Sequence, residues 1–141
     1  MPIRTTLPAD LETRLRGLAE AIEASCPGVQ FVYLFGSAAT GTLRPRSDID
    51  LAVHVAPGED VHAVRLAVAR VAARQLGTDA VDVVLLNTAP VSVAGRVLLT
   101  RQVLLDRNPH ARHRYESSTA RLFQDFRIRE HRLLAERRAH G

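Results

Sequence analysis

The sequence contains no lysine and no tryptophan, one cysteine and one methionine, and aromatic residues make up only 4% of it. A single cysteine excludes an internal disulfide. With no histidine or second cysteine at ligand spacing, Cys26 is not part of a zinc site either, and it reads as a small residue near a helix end. Long apolar runs are also missing: the longest are short and interrupted by charge, and Met1 to Thr6 has no apolar signal core. The sequence therefore supports neither a membrane span nor a secretion signal, and a cytoplasmic location is expected. Internal repeats and low-complexity linkers are absent as well.

Without lysine, the formal net charge of +4 is carried wholly by arginine. Ten arginines oppose eleven acids up to Asp106, whereas nine oppose four from Arg107 onward, so the excess sits in the C-terminal segment. Such a segment either meets an acidic partner or a nucleic acid, or is a solvated helix face; direct nucleic-acid binding is the less favoured of these.

What is present is a chain of 141 residues, 46% of them hydrophobic, enough for one domain with a real core. Leu11, Leu15, Leu18 and Ile22 follow Pro8 at helical spacing, and Pro27-Gly28 stops the pattern, which predicts one amphipathic helix. Val29 to Phe35 is rich in β-branched and aromatic residues and ends at Gly36, as a strand entering a turn does. A second strand is expected over about 48–55, with Ile49, Leu51, Val53 and Val55 on a core face and Asp48, Asp50, Ala52 and His54 on a face outside the core. Val61, Val64, Val68 and Val71 predict a second helix closing at Gly77. Ala80 to Leu86 reads as a buried strand carrying a single acid, Asp82. A short helix over 91–100, a short strand over 102–105 and a long helix over about 111–138, apolar along Tyr115, Thr119, Leu122, Phe126 and Leu133, complete the chain. This alternation implies a small α/β or α+β domain with three or four strands; strand order does not follow from it.

Aspartate is a poor strand former, and Asp48 and Asp50 on one strand face stand only about 6.6 Å apart, close enough to repel. Taken alone, the pair is either a divalent cation site or an exposed edge. Gly36-Ser37 bears on that choice. Glycine lets the backbone approach an anion closely, and Ser37 can open a short helix whose free N–H groups and hydroxyl face phosphate. A phosphate-cradling turn ten residues ahead of a carboxylate pair describes two halves of one nucleoside triphosphate site.

Gly36-Ser37, ten intervening residues, then Asp48-Ile49-Asp50 resembles the signature of the DNA polymerase β-like nucleotidyltransferases, and "LFGSAATGTLRPRSDIDLAV" resembles their small prokaryotic branch, the minimal nucleotidyltransferases. The resemblance covers about residues 11–106 and includes Asp82 in "AVDVVLLN", where members carry a third carboxylate. It implies a nucleotidyltransferase core over 1–106 with a mixed sheet of three to four strands and flanking helices, and a C-terminal basic helix of the same domain over 107–141. It implies Asp48, Asp50 and Asp82 as catalytic residues and ligands of Mg²⁺, with two ions expected, and Gly36 and Ser37 as nucleotide-binding residues. ATP would be the substrate and pyrophosphate the leaving group. Asp82 would bind the metal nearest the acceptor and take its proton.

The resemblance further implies an antitoxin that transfers AMP from ATP to a hydroxyl, typically tyrosine, of a HEPN-type ribonuclease toxin. Alternatives are an antitoxin acting by binding alone and a small-molecule nucleotidyltransferase. A homo- or hetero-oligomer is compatible with the C-terminal helix, which faces either a partner or the sheet of its own chain. One departure stands out: relatives often carry arginines directly after the Gly-Ser pair, where Ala38, Ala39 and Thr40 stand here, and Arg44 and Arg46 are either substitutes for them or plain loop surface.

Overall fold

The apolar alternation of four short segments builds one sheet in the computed structural model, which describes residues 7–140. The Met1–Thr6 stretch, expected to lack a signal core, lies outside the described residues. The strands are β1 (Val29–Phe35), β2 (Ile49–Val55), β3 (Val81–Leu85) and β4 (Gln102–Asp106), ordered β3-β2-β1-β4. β1 runs antiparallel to β2 and to β4, while β2 and β3 are parallel. The parallel pair requires a crossover, and α4 (Val61–Leu76) supplies it. Asp60 caps α4 by accepting the Ala63 N–H at 3.2 Å, and Gly77 ends it at φ +69°.

The expected single N-terminal helix is two, α1 (Leu11–Arg16) and α2 (Leu18–Ser25). Gly17 separates them, and Gln75 of α4 donates its side-chain amide to the Arg14 carbonyl at 3.0 Å, taking up a carbonyl that a continuous helix would have used. Cys26 follows α2 directly and is buried.

One sheet face carries Val32, Leu34, Ile49, Leu51, Val53 and Val55 against Leu18, Ile22, Val68, Ala72 and Leu76 of α2 and α4. The opposite face was expected to lie outside the core, and here the structure differs. Phe31, Tyr33 and Ala52 are fully buried there with Val97 and Leu86, roofed by α5 (Val91–Thr100) and α6 (Pro109–His140). Ala52 and His54 thus mark a second core, because α5 and α6 cover this part of the face.

The expectation of a buried β3 is also corrected. β3 is an edge strand, and Asp82 on it is exposed. Val83 and Leu85 on one face are buried in the core, while Asp82 stands exposed on the other, so no buried charge has to be explained at that position.

Helix α6 divides along its length. Its first turns are tied to the sheet: Tyr33 donates its hydroxyl to Glu116 at 2.8 Å, Arg101 and Arg112 pair with Glu116 at 2.7 and 3.0 Å, and Arg112 also pairs with Asp106 at 2.7 Å. Tyr115 packs on Phe31 and His54, and Thr119 is buried. Beyond it, Leu122 and Leu133 of the expected apolar stripe are each 57% exposed. The stripe is buried only where the sheet extends beneath it.

A third short helix, α3 (Ser37–Thr40), follows β1 directly.

Candidate active site

The chain reverses sharply where β1 meets α3. Gly36 sits at φ +68° and ψ −147°, a conformation open to glycine and strained for any other residue. Its carbonyl accepts the Ala39 and Thr40 N–H groups at 3.1 and 3.2 Å. The N–H groups of Ser37 and Ala38 have no acceptor among the described residues. The turn therefore presents two unpaired backbone donors beside the Ser37 hydroxyl, as an anion cradle requires.

Register brings the carboxylates to this turn. Phe35, the last residue of β1, pairs with Asp50 of β2, which in turn pairs with Asp82 of β3. Residues opposite one another in register share a sheet face, so Asp50 and Asp82 lie side by side. Gly36 abuts the same group: a Cβ on it would stand 2.6 Å from Asp50 Oδ2. Glycine at 36 is thus required twice, by its dihedral angle and by the space Asp50 fills. Asp48 lies just before β2, in an exposed loop rather than in the strand where it was expected.

The electrostatics agree with this grouping. Burial, then the negative charges of Asp82 and Asp48, pushes the half-buried Asp50 carboxyl above its ordinary value. Among the described residues no set of three or more His, Cys, Asp or Glu side chains is drawn together closely enough to hold a metal ion. The donors are nevertheless hard carboxylate oxygens that repel one another, the class that suits Mg²⁺, and a cation among them would relieve the repulsion felt by Asp50.

Arg44 and Arg46, the suggested substitutes for the missing arginines, are exposed in the loop before β2, where the Arg44 N–H binds Ser47 Oγ at 3.0 Å. Two residues that sequence reasoning missed hold the turn from the far side. Thr100 Oγ1 accepts the Gly36 N–H at 2.8 Å, and Gln102 Nε2 donates to the Ala39 carbonyl at 3.0 Å. No sequence signal marks them, since each contact spans more than sixty residues.

Residues 19–110, which contain the turn, β2 and β3, match the family model described as polymerase beta, nucleotidyltransferase. The chain belongs to that family. As a polymerase β-type nucleotidyltransferase it resembles several solved structures. A chain from a toxin–antitoxin complex with AMP-PNP superposes with a TM-score of 0.70 at 25% identity, over 86% of this chain and 96% of that one. A structure designated a minimal nucleotidyltransferase is 32% identical, with a TM-score of 0.56 over 66% of this chain and 94% of that one. A chain from the Shewanella oneidensis complex of a tri-AMPylated HEPN toxin with its MNT antitoxin is 22% identical, with a TM-score of 0.66 over 89% and 97% of the two chains, a likeness of fold. No curated protein matches the sequence. Among the described residues no helix is long and apolar enough to cross a membrane.

Proposed function

We propose that this nucleotidyltransferase is an Mg²⁺-dependent antitoxin that transfers AMP from ATP to a hydroxyl, typically of tyrosine, on a HEPN-type toxin and so silences it. The observation that carries the reading is the approach of the Gly36 turn to Asp50, with Asp82 in register beside it. The solved toxin–antitoxin structures, one with AMP-PNP and one with an AMPylated toxin, support the substrate and the acceptor class. Within this reading residues 1–106 form the catalytic core and 107–141 the basic helix of the same domain.

Asp48, Asp50 and Asp82 would hold the metal, which would supply positive charge to offset the negative charge of the triphosphate. The N–H groups of Ser37 and Ala38 and the Ser37 hydroxyl bind phosphate oxygens and orient the chain for in-line attack. Asp82, exposed at the sheet edge, accepts the proton of the incoming hydroxyl. The acceptor oxygen bonds to the α-phosphorus, the bond from that phosphorus to the bridging oxygen breaks, and pyrophosphate departs.

The test is mass spectrometry of a HEPN-type toxin co-expressed with this chain, after incubation with ATP, Mg²⁺ and the purified protein. One or more added AMP masses, lost in the Asp48→Asn, Asp50→Asn double variant, are expected. An unmodified toxin would overturn the transfer.

A second reading, neutralisation by binding alone, draws on Ala38, Ala39 and Thr40 in place of arginines and on the looseness of the carboxylate group. Full neutralisation by the same double variant would favour it. Pyrophosphate release with a hydroxylated metabolite, and no protein acceptor, would point to small-molecule transfer instead.

A further inference from the structure

The α5–β4 junction reaches the Gly-Ser turn from the opposite side of the sheet edge. α5 ends at Thr100, Arg101 turns the chain, and β4 opens at Gln102, which pairs with Leu34 one residue before the end of β1. In two steps this junction grips both ends of the turn: Thr100 Oγ1 takes the Gly36 N–H at 2.8 Å and Gln102 Nε2 binds the Ala39 carbonyl at 3.0 Å.

The first bond has a specific consequence. Gly36 is the only hinge between β1 and α3, and its dihedral angles set the direction in which the next two amides point. With the Gly36 N–H tied to Thr100, that amide is withdrawn from any ligand, and the Ser37 and Ala38 N–H groups remain as the free pair. The same bond keeps Gly36 pressed against Asp50 Oδ2, fixing the spacing between the anion cradle and the carboxylate. A cradle held loosely in the absence of nucleotide would have to be ordered on binding, which weakens affinity.

We propose that Thr100, assisted by Gln102, is a positioning residue that sets the Gly36–Thr40 turn against Asp50 and thereby controls nucleotide affinity. The inference rests on the nucleotide reading of the turn. Thr100 acts through its hydroxyl as an acceptor for Gly36, and Gln102 prevents α3 from swinging out about that hinge.

The experiment compares Thr100→Val, which keeps the shape and removes the acceptor, with Thr100→Ser, which keeps the acceptor. Calorimetric titration of the full chain with ATP and Mg²⁺ reads affinity, and amide hydrogen exchange of Gly36 reads the turn. Thr100→Val is expected to raise Kd about five- to tenfold, the scale of one lost hydrogen bond. Its Gly36 amide should exchange about tenfold faster than in the unmodified chain. Thr100→Ser should return both to within about twofold, and Gln102→Leu should weaken ATP about threefold without changing exchange elsewhere in the sheet. Unchanged affinity in Thr100→Val, or equal weakening in Thr100→Ser, would overturn the proposal. Should the unmodified chain take up no ATP, the proposed function falls, and Gly36 exchange still decides: faster in Thr100→Val sustains the positioning role, unchanged refutes it.

Discussion

Gly36 and Asp50 occupy one another's space: the hydrogen of the glycine faces Asp50 Oδ2 where a Cβ would stand 2.6 Å away. The turn and the carboxylate are a single unit, assembled when β1 pairs with β2. Gly36→Ala therefore adds a strained positive φ and displaces Asp50 at once. Destabilisation of about 1–3 kcal/mol is expected in denaturant titration, together with loss of ATP binding. A variant that keeps both would show that the two residues are not coupled.

Asp50 gives the site a pH signature. Its carboxyl is raised above the ordinary 3.8 by burial and by Asp82 and Asp48, so the folded chain holds that proton more tightly than the unfolded chain. Its favourable contribution is complete below pH 3.8 and is lost as pH climbs through the raised folded value. Asp50→Asn should melt at a higher temperature than the unmodified chain at neutral pH, with the gap closing in acid, while AMP transfer is abolished. A lower melting temperature at neutral pH would refute the repulsion.

Glu116 runs the opposite way. Burial works to raise its pKa, but the hydrogen bonds from Tyr33 and Arg101 outweigh it and hold the carboxyl below the ordinary 4.5. Its contribution is present above pH 4.5 and fades as pH falls through the depressed value. With the side chain only 13% exposed and charged partners on both sides, Glu116→Gln should lose about 1–3 kcal/mol at neutral pH and little in strong acid. Thermal melts at two pH values would check it; equal losses at both would assign the effect to packing.

Gly95 of α5 lies beneath the Phe123 ring of α6, and a Cβ there would run into the ring. Alanine favours a helix over glycine by up to about 1 kcal/mol, yet overpacking of a close contact costs about 1–3 kcal/mol. Gly95→Ala alone should destabilise the chain, whereas the Gly95→Ala, Phe123→Ala pair should lose less stability than the sum of the two single variants in a double-mutant cycle. Additive losses would mean that the ring moves aside freely.

Much of the local structure was legible because it is local. Val29 to Phe35 carries its own β-branched and aromatic pattern, Val91 to Thr100 its own helical one, and Gly77 its own stop. The Gly36-Ser37 turn and its spacing to Asp48 and Asp50 were visible for the same reason. Gly17 was missed as a break because its cause, Gln75, lies on another helix. The exposure of Asp82 was not legible because an apolar run looks alike on a central strand and on an edge strand buried on one face only.

By itself the sequence determined which segments extend, which coil, and where a glycine turn follows the first strand, since periodicity and the conformational freedom of glycine act over a few residues. Only the tertiary structure decided that β3 joins the sheet beside β2, aligning Asp82 with Asp50, and that Thr100 and Gln102 close on the turn. Those contacts depend on strand order and on helices packing across both faces of a sheet. They belong to the energy of the whole chain, and no window of sequence contains them.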